Sequence, residues 1–189
     1  MEEITVGMKA PDFSLKDFRG HRFALLDYQG RNKVMLVMFR GFGCRNSQWH
    51  LDSLRNDYPK FRDSNTVVAA VGQHSQGEFA NMWKTFSLPF FGLPDDRGKV
   101  AQLYHQKVLV EKLGRLPAIF IVDPLGFVAD AHYCSDIFDF PANEKLLPIL
   151  EDKYLPLSPS PAPAYSRDDS PAPHPLIPAE ARVVPAAGA

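Results

Sequence analysis

Cysteine is scarce in this chain: Cys44 and Cys134 are the two thiols among 189 residues, ninety positions apart. Two such residues cannot build the disulfide framework of a small secreted domain. Neither sits in the paired spacing of a zinc site, so each thiol is judged singly. An excess of one charge is missing too. Lys and Arg number 21 against 22 Asp and Glu, a formal net charge of −1 with a pI near 6.6. That balance supplies no global field to draw the protein to nucleic acid or to an anionic membrane. No apolar run reaches the roughly 18 to 20 residues that span a bilayer, and the opening Met1-Glu2-Glu3 is acidic where a signal peptide is basic. These absences give a cytoplasmic expectation by default, with no nucleic-acid or membrane partner. What is present is a core: 45% apolar residues and 12% aromatics over 189 positions suit one globular domain.

Composition changes sharply after Tyr154, because nine of the 17 prolines fall in residues 155–189, with little aromatic content and no sustained apolar period. The expected organisation is a domain over residues 1–154 and a Pro-rich, extended and disordered tail over 155–189. Within the domain, β-branched or aromatic apolar runs alternate with helical patterns, which indicates an α/β arrangement of sheet and helices. Ala10 to Leu15 alternates apolar and polar, and Asp17-Phe18-Arg19-Gly20 turns the chain into residues 21–26, an N-terminal β-hairpin. The continuous run 34–39 suits a central strand covered on both faces. Leu51, Leu54, Tyr58 and Phe61 then recur at helical spacing, predicting a helix that starts between Cys44 and Ser47 and kinks at Pro59. A strand over 67–71, helices over 78–86 and 99–104, strands over 118–122 and 127–133, and a closing helix over 142–154 flawed by Pro148 complete the reading.

This order places Cys44 at a strand-to-helix junction. A thiol attacks peroxides and disulfides only as thiolate, so it needs surroundings that favour the anion and leave it accessible. A helix N-terminus offers unpaired N–H groups and the positive end of the macrodipole, and Arg40 and Arg45 would add positive charge. Gly41 and Gly43 leave room for a substrate. The alternative is that Cys44 is a small buried hydrophobe ending a core strand.

The stretches Gly7-Met8-Lys9-Ala10-Pro11-Asp12-Phe13-Ser14-Leu15 and Val34-Met35-Leu36-Val37-Met38-Phe39-Arg40-Gly41-Phe42-Gly43-Cys44 resemble the opening of the alkyl hydroperoxide reductase/thiol-specific antioxidant (AhpC/TSA, redoxin) family. Arg115-Leu116-Pro117-Ala118-Ile119-Phe120-Ile121-Val122-Asp123-Pro124-Leu125-Gly126 resembles that family's second landmark. Ala131-His132-Tyr133 through Pro141 resembles the end of its peroxiredoxin-like branch. The resemblance implies a thioredoxin-like fold: a central mixed sheet flanked by helices, with the hairpin as an N-terminal extension. It also implies that Pro117 is a cis-proline facing the active thiol. Where thioredoxin-like members carry Cys-x-x-Cys, this chain has Cys44-Arg45-Asn46-Ser47. Typical peroxiredoxins place threonine at the position of Cys44, the peroxidatic cysteine at that of Ser47 and an arginine near Pro117; none of the three is here.

The implied function is a thiol oxidoreductase acting on peroxides or protein disulfides through Cys44 and recycled by an external thioredoxin- or glutathione-type thiol. Ser47 would hydrogen-bond the thiolate or cap the helix. Cys134, with only His132 near it in sequence, is the candidate resolving thiol, its alternative a structural one. A non-catalytic redoxin-fold binding or regulatory protein is the competing reading. No cofactor is implied. Gly41-Phe42-Gly43 lacks the third glycine of a dinucleotide fingerprint. His50, His74, His105 and His132 show no metal-ligand spacing and read as surface or satisfied interior residues.

Overall fold

Asp17 closes the first turn. Its buried carboxylate accepts the N–H groups of Arg19 and His21 at 2.9 and 2.8 Å, joining β1 (Ser14–Lys16) to β2 (Arg22–Ala24) as an antiparallel hairpin. This is a computed structural model, and it describes residues 3–109 and 114–151. A 3-10 turn over Leu25–Tyr28 then leads into β3 (Lys33–Met38), every residue of which is buried.

Strand β3 alternates between two cores, as the period of two requires. Val34, Leu36 and Met38 face a cluster with Phe13, Phe23, Tyr28 and Tyr104; Met35, Val37 and Phe39 face another with Leu54, Phe61, Trp83 and Leu150. Helices α1 (Arg45–Asn56) and α2 (Tyr58–Asp63) follow, then β4 (Thr66–Gly72), α3 (Gln76–Phe86), β5 (Phe91–Pro94) and the short α4 (Lys99–Leu103). A two-stranded ribbon of β6 (Val108–Leu109) and β7 (Gly114–Arg115) precedes β8 (Ala118–Val122), β9 (Val128–Tyr133) and α5 (Asn143–Glu151). The main sheet runs β5-β4-β3-β8-β9, parallel across β5, β4 and β3 and antiparallel across β3, β8 and β9. This is the thioredoxin-like mixed sheet that the sequence implies, with helices on both faces.

Two details differ from expectation, the helix break and the Leu116–Pro117 bond, while the closing helix forms as expected despite its proline. The kinked helix is two helices broken at Asp57, with Pro59 in the first turn of α2, where its missing N–H costs no helical bond. Helix α5 runs through Pro148 because that residue lies on the exposed side, where water can satisfy the freed backbone acceptor. The Leu116–Pro117 peptide is not cis; no described peptide bond is. The trans form is the intrinsic default for X-Pro, and here neighbours fix both sides of the bond. Leu116 N–H donates to Lys107 O at 2.8 Å, Gln106 Nε2 donates to Leu116 O at 2.9 Å, and Cys134 N–H donates to Pro117 O at 3.0 Å. The predicted tail over 155–189 lies outside the described residues.

Candidate active site

Strand β3 ends at the sheet edge from which Arg40 to Cys44 emerge, and the register carries the other landmarks to the same end. Met38 pairs with Ala118, which pairs with Tyr133, so Pro117 and Cys134 follow directly at that edge. Gln106 ties the edge together, its Nε2 within 3.4 Å of Phe39 O and 2.9 Å of Leu116 O.

Cys44 is the N-cap residue of α1, half-buried and in extended conformation, and its side chain makes no capping hydrogen bond. The first helical bond runs from Gln48 N–H to Cys44 O at 3.1 Å. The first-turn N–H groups of α1 thus have no intrahelical acceptor, and the N-cap side chain does not cap them. Cys44 opens onto a cleft of about 450 Å³ lined by Arg40, Gly41, Gly43, Arg45, Asn46 and Ile137. Both arginines singled out in the sequence reach this cleft, and among the described residues no carboxylate lines it. Arg45 lies over the Trp49 ring at 5.3 Å from its centroid. Arg40 packs against Gly114, where a Cβ would come within 2.9 Å of its Nε.

Ser47 is not part of this cleft. Its Oγ is fully buried with no hydrogen-bond partner, so it neither caps α1 nor bonds the thiol. The third position of α1 faces the core rather than the helix mouth. Cys134 is also fully buried, and that burial, with Asp139 and Asp136 secondary, pushes its thiol up to about 12. It is protonated at neutral pH and closed to solvent. Arg115 lies away from the cleft lining, its Nε donating to Gln73 Oε1 at 2.6 Å.

Of the histidines, His50 corrects the expectation of a satisfied interior ring. It is buried on α1, stacked on Phe140, and neither nitrogen has a partner. His74 is the residue that sequence spacing misses: its Nε2 accepts the Phe42 N–H at 3.1 Å, across 32 positions. The nearest sequence signal is the capping box Ser75-x-x-Glu78 that follows it, which marks the start of α3 and says nothing of a neighbouring loop. Among the described residues no group of three or more His, Cys, Asp or Glu could hold a metal, and no helix is long and apolar enough to cross a membrane.

Comparison with known proteins agrees with this fold. Residues 6–131 match the model of the AhpC/TSA family. Thiol-disulfide oxidoreductase ResA of Geobacillus kaustophilus (strain HTA426) is 30% identical over 129 residues, 66% of this chain and 67% of its own. Alkyl hydroperoxide reductase E of Mycobacterium bovis (strain ATCC BAA-935 / AF2122/97) is 31% identical over 129 residues, 66% of this chain and 82% of its own. The crystal structure of peroxidoxin BcpB from Mycobacterium tuberculosis superposes with a TM-score of 0.69 at 17% identity, covering 78% of this chain and 97% of the other.

Proposed function

Because the chain belongs to the AhpC/TSA family, whose members similar to it are peroxiredoxins and thiol-disulfide oxidoreductases, we propose that it is a thiol oxidoreductase working through the single thiol of Cys44. The observation that carries the reading is the placement of that sulfur: half-exposed, at the N-terminus of α1, in a cleft walled by two arginines. The N–H groups and cations favour an anion at this point, and only the thiolate is nucleophilic.

With a peroxide, Cys44 Sγ⁻ attacks one peroxide oxygen and the O–O bond breaks. The sulfur is oxidised to a sulfenic acid, and the departing alkoxide or hydroxide takes a proton from water. One external thiol then condenses with the sulfenic acid, releasing water and leaving a mixed disulfide. A second thiol displaces it as an external disulfide and restores Cys44. With a disulfide substrate, Sγ⁻ attacks one sulfur and expels the other as a thiolate, and the same second step completes the exchange. Ser47 takes no part in these steps. A thioredoxin- or glutathione-type reductant is required because Cys134, the other thiol, is sealed in the core as a structural residue. The setting proposed for this chemistry is cytoplasmic.

The test is consumption of hydrogen peroxide and of a model disulfide, with dithiothreitol as reductant, by the wild type, Cys44→Ser and Cys134→Ser. Cys44→Ser should lose more than about 100-fold of the rate, and Cys134→Ser should stay within about twofold. Equal rates in wild type and Cys44→Ser would overturn the assignment to Cys44, and if both match the protein-free background only the non-catalytic binding protein is left.

A further inference from the structure

We infer that His74 is a positioning residue for the Cys44 loop: as the acceptor for the Phe42 N–H, it fixes the peptides that deliver Gly43 and Cys44 to the start of α1. The inference rests on the thiol reading above and adds to it what holds the thiol in place.

Residues 40–44 carry two glycines, so the loop has little stiffness of its own and must be held from outside. One anchor is internal, the turn from Cys44 N–H to Gly41 O at 3.1 Å. Two more take both polar groups of Phe42. Its N–H donates to His74 Nε2 at 3.1 Å, and its carbonyl accepts Gln48 Nε2 at 2.6 Å. The loop is thus clamped between the segment before α3 and the first turns of α1.

The second nitrogen of His74 determines whether Nε2 can accept. Nδ1 lies 3.1 Å from Glu78 Oε1. Hydrogen bonds from the Ser75 hydroxyl and backbone N–H, with His74 contributing, hold the Glu78 carboxyl down at about 2, so it is an ionised, pure acceptor. A pure acceptor at Nδ1 places the ring proton there and leaves Nε2 bare, the tautomer that Phe42 needs. The ring also stacks on Phe42 at 4.3 Å between centroids, and a Cβ at Gly41 would come within 3.1 Å of Nε2. The capping box of α3 accounts for Ser75 and Glu78 alone. It gives no reason for the far nitrogen of His74 to meet a loop residue 32 positions upstream, and a phenylalanine could supply the stack but not the acceptor.

The experiment compares His74→Phe, which keeps a ring, with His74→Gln, whose Oε1 can reach the place of Nε2. In a Cys134→Ser background, the second-order rate of Cys44 alkylation by iodoacetamide should fall about tenfold in His74→Phe and return to within about threefold of wild type in His74→Gln. A Phe variant as fast as wild type, or a Gln variant no faster than Phe, would overturn the inference. Nitrogen-15 spectra of the wild-type ring decide it even should His74→Phe not fold. Protonated Nδ1 with bare Nε2 at neutral pH, together with a slowly exchanging Phe42 amide, is expected; a protonated Nε2 overturns it. An inert Cys44 with those spectral signatures intact would sink the oxidoreductase reading and leave the hold of His74 on the loop standing.

Discussion

His50 is 6% exposed, its ring stacked on Phe140 at 4.2 Å between centroids, with both nitrogens unpartnered. Burial lowers its pKa from 6.5 to about 3, so it stays neutral in the folded chain where the unfolded chain takes up a proton. Between those two values the unfolded state binds more protons. The contribution of His50 is therefore complete above about pH 6.5 and is lost as pH falls toward 3, at up to ~1.4 kcal/mol per pH unit. His50→Leu should match or exceed wild-type stability at pH 7, since it removes two unpaired polar atoms from the core, and should lose less on going to pH 4. Urea unfolding at pH 7, 5.5 and 4 measures the difference; parallel losses in both proteins would refute it. Neither His50 nor His74 announces its role in the sequence, because burial and a contact across 32 positions are set by tertiary packing, not by spacing. The placement of Cys44, Arg40 and Arg45 was legible, since a strand ending in Gly-x-Gly before a helical pattern fixes what must meet at the helix mouth. Ser47 was misread for the opposite reason: helical phase turns it inward, while the preference of serine for helix starts favours a cap.

Strand β3 could be read from its unbroken apolar run, and β4 likewise, because strands covered on both faces need such runs. Strand β5 escaped notice. It spans four residues, one a glycine and one a proline, and that composition reads as loop until the neighbouring strand and helix are known. Its glycine has a packing purpose. A Cβ on Gly92 would lie 2.6 Å from Trp83 Cε2, and the indole cannot slide away because its Nε1 donates to Phe90 O at 2.7 Å. Trp83 in turn belongs to the aromatic run with Phe79 and Phe42 that roofs this face of the sheet toward the Cys44 loop. Gly92→Ala should therefore destabilise the fold by about 1–3 kcal/mol through overpacking between α3 and β5. A denaturation midpoint unchanged from wild type would show that the helix can move aside freely, and that this contact does not fix its distance from the sheet.

At the scale of the whole molecule, two cores pack on the two faces of one sheet, and among the described residues their members run from Ile4 to Leu150. The last contributors are Leu146 and Leu150 on α5, which pack against the same cluster as Met35 and Val37 of β3, and the Leu150 carbonyl receives the buried Lys33 Nζ. That bond joins the end of the helix to the beginning of the central strand, at the opposite end of β3 from Cys44. The domain boundary proposed after Tyr154 rests on the proline content beyond it and on the place of α5 as the last described element. A chain ending at Tyr154 should melt within about 2 °C of the full-length protein and show the same rate of Cys44 alkylation. A chain ending at Ala142 should not, because it removes two buried leucines, each contributing roughly 1.5–3 kcal/mol, together with the carbonyl that receives Lys33. Circular-dichroism melts and size-exclusion profiles of the two truncations distinguish the cases. A loss of stability in the longer truncation would mean that residues 155–189 contribute to the fold, and the domain would then have to be redrawn to include them.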